Sequence, residues 1–500
     1  MRSDNSRRSY PTGSVSKMGY LEAIMLLLIE KYLFYFFLFA IPFQTRKILW
    51  YEGWRFNEWT SISVYATDLL LAIFLVFWVS SSLSKITNYK LSRFFRGSSI
   101  TKQSGQITNK FQFLTSQFQN PNFYLILFIV ISGISIKNST NPAISWFQWV
   151  KLLEFIIFYF YISRYAFIKF RLANAFFAIL LGGLFQAIIA IIQFLKQSDI
   201  GLGYLGESII NSDLGGVASF YLSGQAGLST GEKIIRAYGT FPHPNVLAGF
   251  LFLSLFSFYF MYLYSKLHSE HRPFADKTDK FLIFSYPVIL FAFFTTFSRA
   301  VIFIWFVSFC FRSAIIRAVK NYRIIFGTKE GRWRIGAILI MSLISIVLFS
   351  SLYFDEISSR SNISSEEQAV QLRSFYIKES VSELNWTGIG MGNFVGWLMK
   401  KEIFLEQYAY QPVHNVYLLL YSETGILGLA VFLLFLATLM KNFISKTRLK
   451  KSYHLSYLVF FCSLLFIGFF DHFFLTLQQG RFIFWTGLGI LTYLPDNDIM

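Results

Sequence analysis

The sequence predicts an all-α polytopic membrane protein: about twelve transmembrane helices, with one large extracytoplasmic loop between the ninth and tenth. Three observations carry this. Apolar runs near the length that crosses a hydrocarbon core recur from end to end. Only 14% of the 500 residues are charged, whereas 54% are hydrophobic and 20% aromatic; soluble domains carry about 25% charge. Lys and Arg gather in alternate connecting segments with a bias of roughly two to one, which sets both termini on the cytoplasmic side.

The expected spans are 20–43, 61–83, 122–136, 143–167, 172–195, 244–265, 281–297, 300–311, 335–353, 414–440, 454–475 and 480–495. Glu30 and Lys31 interrupt the first. The eighth is short and continues into the basic stretch by snorkelling of Arg312 and Arg317. The chain divides into a cytoplasmic tail (1–19), N-terminal helices and the first outer loops (20–229), a core (230–440) that includes an outer loop (355–412), and C-terminal helices with a short cytoplasmic tail (441–500). The basic segments from Lys85 to Lys110 and from Arg312 to Arg334 are inner tethers. A net charge of +18 would suggest nucleic acid on a soluble protein. On this chain it marks cytoplasmic loops, so the expected partner is the bilayer and not nucleic acid. Cys310 and Cys462 fall inside expected spans and read as packing residues.

Ionisable groups inside spans are functional candidates by default. Here they are Asp68, Lys151 with Glu154, and Asp471-His472. Lys151 and Glu154, at i,i+3, read as mutually neutralising. No phosphate-binding glycine loop, zinc ligand pattern or nucleophile elbow is present. Gly388-x-Gly390-x-Gly392 has the wrong spacing for a dinucleotide fingerprint and reads as a tight bend ending a loop helix over about 366–383. Asp496-Asn497-Asp498 has a metal–nucleotide-sugar pattern but no domain around it. No cofactor and no metal site is therefore expected.

The polar stretch from Asp355 to Asn415 ends at His414, at the mouth of a span. Before the sixth span stands Arg236-Ala-Tyr238-Gly-Thr-Phe-Pro-His243-Pro-Asn245. Its prolines fix the entry angle, and a helix N-terminus there offers free N–H groups to an anion. Arg299 sits where two spans pinch together. Each of these residues alone also reads as an interfacial anchor. Together, the topology delivers Arg236, Arg299 and His414 to one side of the membrane. Arginine grips phosphate oxygens bidentately, and histidine is a base near neutral pH. That set suits a substrate that is both lipid and phosphate. His243 competes with His414 as the base. Two nearby cations would hold the histidine pKa below about 6.5.

Arg236-x-x-Gly-Thr-Phe-x-x-Pro-Asn245, then Ser298-Arg299, Gly388 to Phe394, His414-Asn415-x-Tyr-Leu and Glu423-x-Gly-x-x-Gly428 together resemble the O-antigen ligase and O-antigen polymerase superfamily. The resemblance covers about 230–440. It implies a metal-independent, inverting membrane glycosyltransferase of the GT-C type. The donor would be a glycan on a polyprenyl diphosphate, and the acceptor a lipid, a glycan or a protein. By position it makes His414 the base and Arg236 and Arg299 the essential arginines. Arg373 matches a further arginine of the loop, which would cap the cavity. Tyr238, His243, Asn245 and Asn415 are the expected substrate-binding neighbours. Ligase and polymerase stay open, with the ligase favoured by the histidine that follows a single large loop. A transporter or lipid flippase, which the helix count also suits, is the reading from another class.

Overall fold

The computed structural model describes residues 17–53, 55–95, 119–222, 233–264, 275–318, 329–361, 368–382, 386–402 and 405–494. Most of the N-terminal tail, residues 96–110 of the first basic tether, 319–328 of the second, and Asp496-Asn497-Asp498 lie outside these residues.

The chain folds into helices, as its composition requires. In order they are α1 (Lys17–Ala40), α2 (Ala66–Phe95), α3 (Pro121–Ser135), α4 (Pro142–Tyr161), α5 (Leu172–Lys196), α6 (Pro244–Tyr264), α7 (Ala275–Thr295), α8 (Arg299–Ala318) and α9 (Lys329–Leu352). Three loop helices follow: α10 (Phe354–Ser361), α11 (Gln368–Val381) and α12 (Phe394–Lys401). The chain ends with α13 (Val416–Thr447), α14 (Ser452–Ile467), the short α15 (Phe473–Thr476) and α16 (Gln478–Tyr493). Among the described residues seven helices are long and apolar enough to cross a membrane, α5, α6, α9 and α13 among them, where twelve spans were expected. By helix length and hydropathy the protein is a multi-pass membrane protein.

Helix starts follow from local chemistry. Asn120, Asn141 and Asn415 each accept from the N–H groups of the first turn, and proline stands at the first helical position after the first two. Helix α6 is apolar all round and buried on every face. It packs against α5, α7, α8, α9, α14 and α16 and forms the axis of the bundle. Helices at the periphery present leucine, isoleucine and valine outward. On α9, Leu343 is 61% and Val347 58% exposed, as lipid contact requires.

Several buried charges are paired. Glu30, which seemed to break the first span, points inward and meets Lys169 at 2.6 Å. Lys151 joins Glu154 and also Asp68, so the neutralisation expected of the pair is a three-residue network. Arg334 binds Asp279 and Glu330.

The fold is all-α as expected; two short antiparallel ribbons, β1 (Arg46–Tyr51) with β2 (Ser61–Tyr65) and β3 (Ser219–Tyr221) with β4 (Lys233–Ile235), join its helices. The start of the expected second span is β2, because Ser61-Ile-Ser-Val-Tyr65 alternates in burial with period two. The expected span 454–475 ends early, at Ile467. The chain turns after Gly468, and the Asp471 carboxylate takes the N–H groups of His472 and Phe473. Asp471 and His472 therefore stand in a loop, not within a span.

The large loop is fastened to a broken helix. Gly425 interrupts α13 with φ 72° and ψ −176°. The break leaves the carbonyls of Ser422 and Glu423 without their partners a turn ahead. Ile389 and Gly390 donate their N–H groups to these carbonyls, at 2.9 and 3.1 Å. Gly388, at φ 74°, lies so close that a Cβ would run into the Glu423 carbonyl; a Cβ on Gly425 would run into that of Trp386. Asn393 then ties the segment to the α3–α4 turn, accepting from Thr140 and Asn141.

Gly425→Ala and Gly388→Ala should therefore each lower the melting temperature of the detergent-solubilised protein. The positive φ alone costs about 1–3 kcal/mol. Gly336→Ala on α9, where a Cβ meets nothing within 4 Å, should leave it unchanged or raise it. Equal melting temperatures across the three variants would mean that the loop is not held by this dock.

Candidate functional site

Four segments converge at the end of the bundle that carries the loop. They are residues 236–245 ahead of α6, the turn between α7 and α8, residues 413–415 ahead of α13, and Asp471-His472. Helices α10 and α11 lie against them.

Helix α5 holds the first segment. Gln193 accepts from the N–H groups of Tyr238 and Gly239, at 3.2 and 2.7 Å, and donates back to the Gly239 carbonyl. Gln186 clasps Thr240 through N–H and hydroxyl, at 2.9 and 3.0 Å. The left-handed Gly239 (φ 61°) lets the chain turn against Gln186. At the start of α6 the Asn245 N–H donates to His243 Nδ1 (3.1 Å). His243 thus acts as a helix cap with Nδ1 unprotonated. Burial, followed by the charge of Arg236, pushes its pKa down to about 3.

Arg236 is 5% exposed. Its Nε donates to the Thr296 carbonyl (2.6 Å) and its Nη2 to Asn245 Oδ1 (2.7 Å). Asn245 Nδ2 donates in turn to Asp471 Oδ2 (2.7 Å). The guanidinium can only donate and the carboxylate only accept, so the amide orientation is fixed. No carboxylate forms an ion pair with Arg236 among the described residues. Burial and the charges of Arg360 and Arg373 bring its pKa down to about 9.

Asp471 leads to two imidazoles. Burial works to raise its pKa, but His472, His414, His243 and the Asn245 amide outweigh it, so the carboxyl stays ionised. His472 Nδ1 lies 2.7 Å from the Thr476 hydroxyl, and its ring meets Trp59 edge-on at 5.1 Å. The His414 ring stands 5.0 Å from that of His472, at 76°, and stacks on Tyr376 of α11 at 5.9 Å. His414 Nδ1 is buried with no hydrogen-bond partner among the described residues. Its pKa is lowered as expected, though the cause differs: burial leads, then His472, with Arg373 adding to it.

Arg373 sits half-buried on α11, three residues before Tyr376, and its charge reaches Arg236, His243, His414 and His472. Arg299 donates to the Arg360 carbonyl (3.2 Å). Both arginines line a groove of about 570 Å³ walled by Phe294, Phe297, Phe349 and Ile357. The groove opens where Phe303 and Phe306 are exposed on the outside of the helices. Arg299 joins the cluster through the adjacent Thr296 carbonyl and through Arg360.

The structure thus brings Arg236, His243, Asn245, His414 and Arg373 together, and sets Arg299 in the neighbouring groove. Two expected substrate-binding residues are used by the fold. Asn415 caps α13 and donates to the Phe469 carbonyl, and the Tyr238 hydroxyl accepts from the Ala218 N–H. Sequence reasoning flagged Asp471-His472 without joining it to His414, and it missed Arg360, Tyr376, Gln186 and Gln193. Two glutamines seven residues apart in an apolar span share a helix face, and that signal was readable. Comparison with protein-family models and with curated proteins gives no match to this chain.

The histidines set an acid limit on stability. All three hold folded pKa values below their unfolded value near 6.5. The unfolded chain therefore binds more protons below that pH. Stability is complete above about pH 6.5 and falls as the pH drops toward the folded values, by up to about 1.4 kcal/mol per pH unit for each group. Asp471, depressed below an unfolded value of about 3.9, adds its loss only at lower pH. Melting temperatures should hold from pH 7.5 to about 6.5 and fall from there to pH 5, and His243→Gln should flatten the slope. A flat wild-type profile would show that these imidazoles are not held neutral.

Proposed function

We propose that the chain is a membrane glycosyltransferase of the O-antigen ligase type, serving cell-surface polysaccharide (lipopolysaccharide) biosynthesis. It would have twelve spans, cytoplasmic termini and its site on the outer face of the cytoplasmic membrane. The donor is a glycan on a polyprenyl diphosphate; the acceptor is a lipid, or a glycan or protein in its place. One observation carries this reading. Among the described residues, Arg236 is buried with no carboxylate in direct contact and feels the charges of Arg360 and Arg373, while Arg299 and Arg360 line an adjacent apolar groove. A buried guanidinium with no carboxylate on it suits an anionic ligand, and the groove suits an isoprenoid tail.

In this reaction the acceptor hydroxyl gives its proton to His414 as its oxygen bonds to the anomeric carbon. The bond from that carbon to the phosphate oxygen breaks, and its electron pair leaves on the lipid diphosphate. Attack opposite the leaving group inverts the anomeric centre. Arg236 and Arg299 hold the charge that grows on the leaving oxygen; donors of this kind are worth about 3–4 kcal/mol each. Burial keeps His414 neutral and ready to accept a proton. A polymerase would use the same site, with a second carrier-linked repeat as acceptor.

The test is transfer in proteoliposomes from a polyprenyl-diphosphate glycan to a panel of lipid, glycan and peptide acceptors. His414→Ala should abolish transfer with protein level and insertion normal, and Arg236→Gln should lower kcat by about 10²–10³-fold. A chelator should leave the wild-type rate unchanged. Wild-type rates for His414→Ala would remove it from the mechanism. No transfer to any acceptor, together with movement of the donor across the bilayer, would replace the reading with a flippase.

A further inference from the structure

His414 and His472 arrive from separate turns, yet their rings touch edge to face at 5.0 Å. They are not equivalent. His414 Nδ1 is buried without a partner among the described residues, so a proton there would make an N–H with no acceptor among them. His472 Nδ1 has the Thr476 oxygen at 2.7 Å, and the Thr476 hydroxyl can spend its own hydrogen on the His472 carbonyl at 3.2 Å. Beside His472 stands the Asp471 carboxylate, fixed by Asn245 and by two backbone N–H groups. Of the two rings, His472 is therefore the easier to charge. Once it is charged, its field at ring-contact distance opposes a proton on His414.

We propose that His414 and His472 work as one unit that holds at most one proton, and that His472 is a positioning residue whose protonation switches off His414 as the base. This rests on the reading of His414 as the proton acceptor. The groups facing the pair are Asp471 on their own side, Arg373 and Tyr376 from α11, His243 and Arg236 from the segment ahead of α6, and Trp59 from the turn before β2. Asp471 favours a charge on His472, and Arg373 opposes it. The nearest groups that titrate between pH 5 and 8 are imidazoles. The acid limb of activity would then belong to the pair, with its first proton on His472.

His472→Gln tests this, with the pH dependence of two readouts compared to wild type. One is kcat/KM for glycan transfer. The other is the rate at which diethyl pyrocarbonate modifies His414 in purified protein, followed by mass spectrometry of its peptide. With His472 gone, the acid limb of transfer passes to His414 alone, the ring harder to charge, and no neighbouring imidazolium opposes its proton. The kcat/KM midpoint should move down by about one pH unit, whereas the modification midpoint of His414 should move up. Thr476→Val leaves the imidazole in place but removes the oxygen beside Nδ1; it should shift each midpoint in the same direction as His472→Gln does and covers a failure of His472→Gln to fold. Midpoints that stay put while rates fall evenly at every pH would show a purely structural His472. Transfer lost in His472→Gln but kept in His414→Gln would make His472 the base itself. Either result overturns the proposal. If no transfer is found with any acceptor, the glycosyltransferase reading fails, and the modification midpoints still decide whether the rings share one proton.

Discussion

The break in α13 at Gly425 is the constraint on which the loop face depends. A helix interrupted near an apolar core exposes carbonyls that hydrocarbon cannot satisfy. This chain meets that demand with backbone from its own large loop, the N–H groups of Ile389 and Gly390. The docking needs backbone-to-backbone approach on both sides, which is why glycine stands at 388 and 425. Once the glycine run is seated, α12 follows at Phe394, whose N–H reaches the Glu423 carboxylate at 3.4 Å. Ser422 also bonds the Ser380 carbonyl at the end of α11, so the helix that bears Arg373 and Tyr376 is held by the same stretch of α13. The two glycine motifs are thus halves of one joint.

That joint explains how a loop can contribute to a site that needs fixed geometry. Tyr376 stacks on His414 because α11 is tied down at its C-terminal end, and its hydroxyl donates to the Ala409 carbonyl just ahead of the histidine. From the other side, Gln186 and Gln193 of α5 hold the turn that presents Arg236. The polar residues sit at the end of α6, the helix buried on every face. They are positioned by rigid elements rather than by the loop's own stiffness.

Much of the scaffold was legible from hydropathy. A helix occupies most of each expected span. The departures have physical causes. Residues 61–65 are apolar enough to extend a span, yet their alternation is that of a strand, and hydropathy averaged over a window cannot see period two. Residues 468–473 are aromatic and apolar around Asp471, so the same averaging ran α14 through them. The backbone turns because the Asp471 carboxylate captures the next two N–H groups. That single error kept the Asp471-His472 pair apart from His414. The convergence of Arg236 with His414 followed from topology alone. The link between them did not, because Asn245 was read as a helix start and not as a bridge.

Asn245 gives the site its polarity. Its carbonyl faces Arg236 and its amino group faces Asp471, at 2.7 Å each, and the reverse orientation would set donor against donor and acceptor against acceptor. The amide therefore holds a positive group on one side and a negative group on the other, at a fixed separation. In the proposed transfer two charges form together. Negative charge gathers on the departing diphosphate, and a proton arrives at the imidazoles. With this arrangement the first develops beside Arg236 and the second beside Asp471, so each appears next to its opposite. Dipoles already oriented in a buried site do not have to turn as the charges grow, and that is where such a site exceeds water as a solvent for the same step. The pairing also explains why a buried arginine lacks a carboxylate in direct contact. A salt bridge there would quench the cation that the leaving group needs, whereas an intervening amide steadies Arg236 and leaves its charge available.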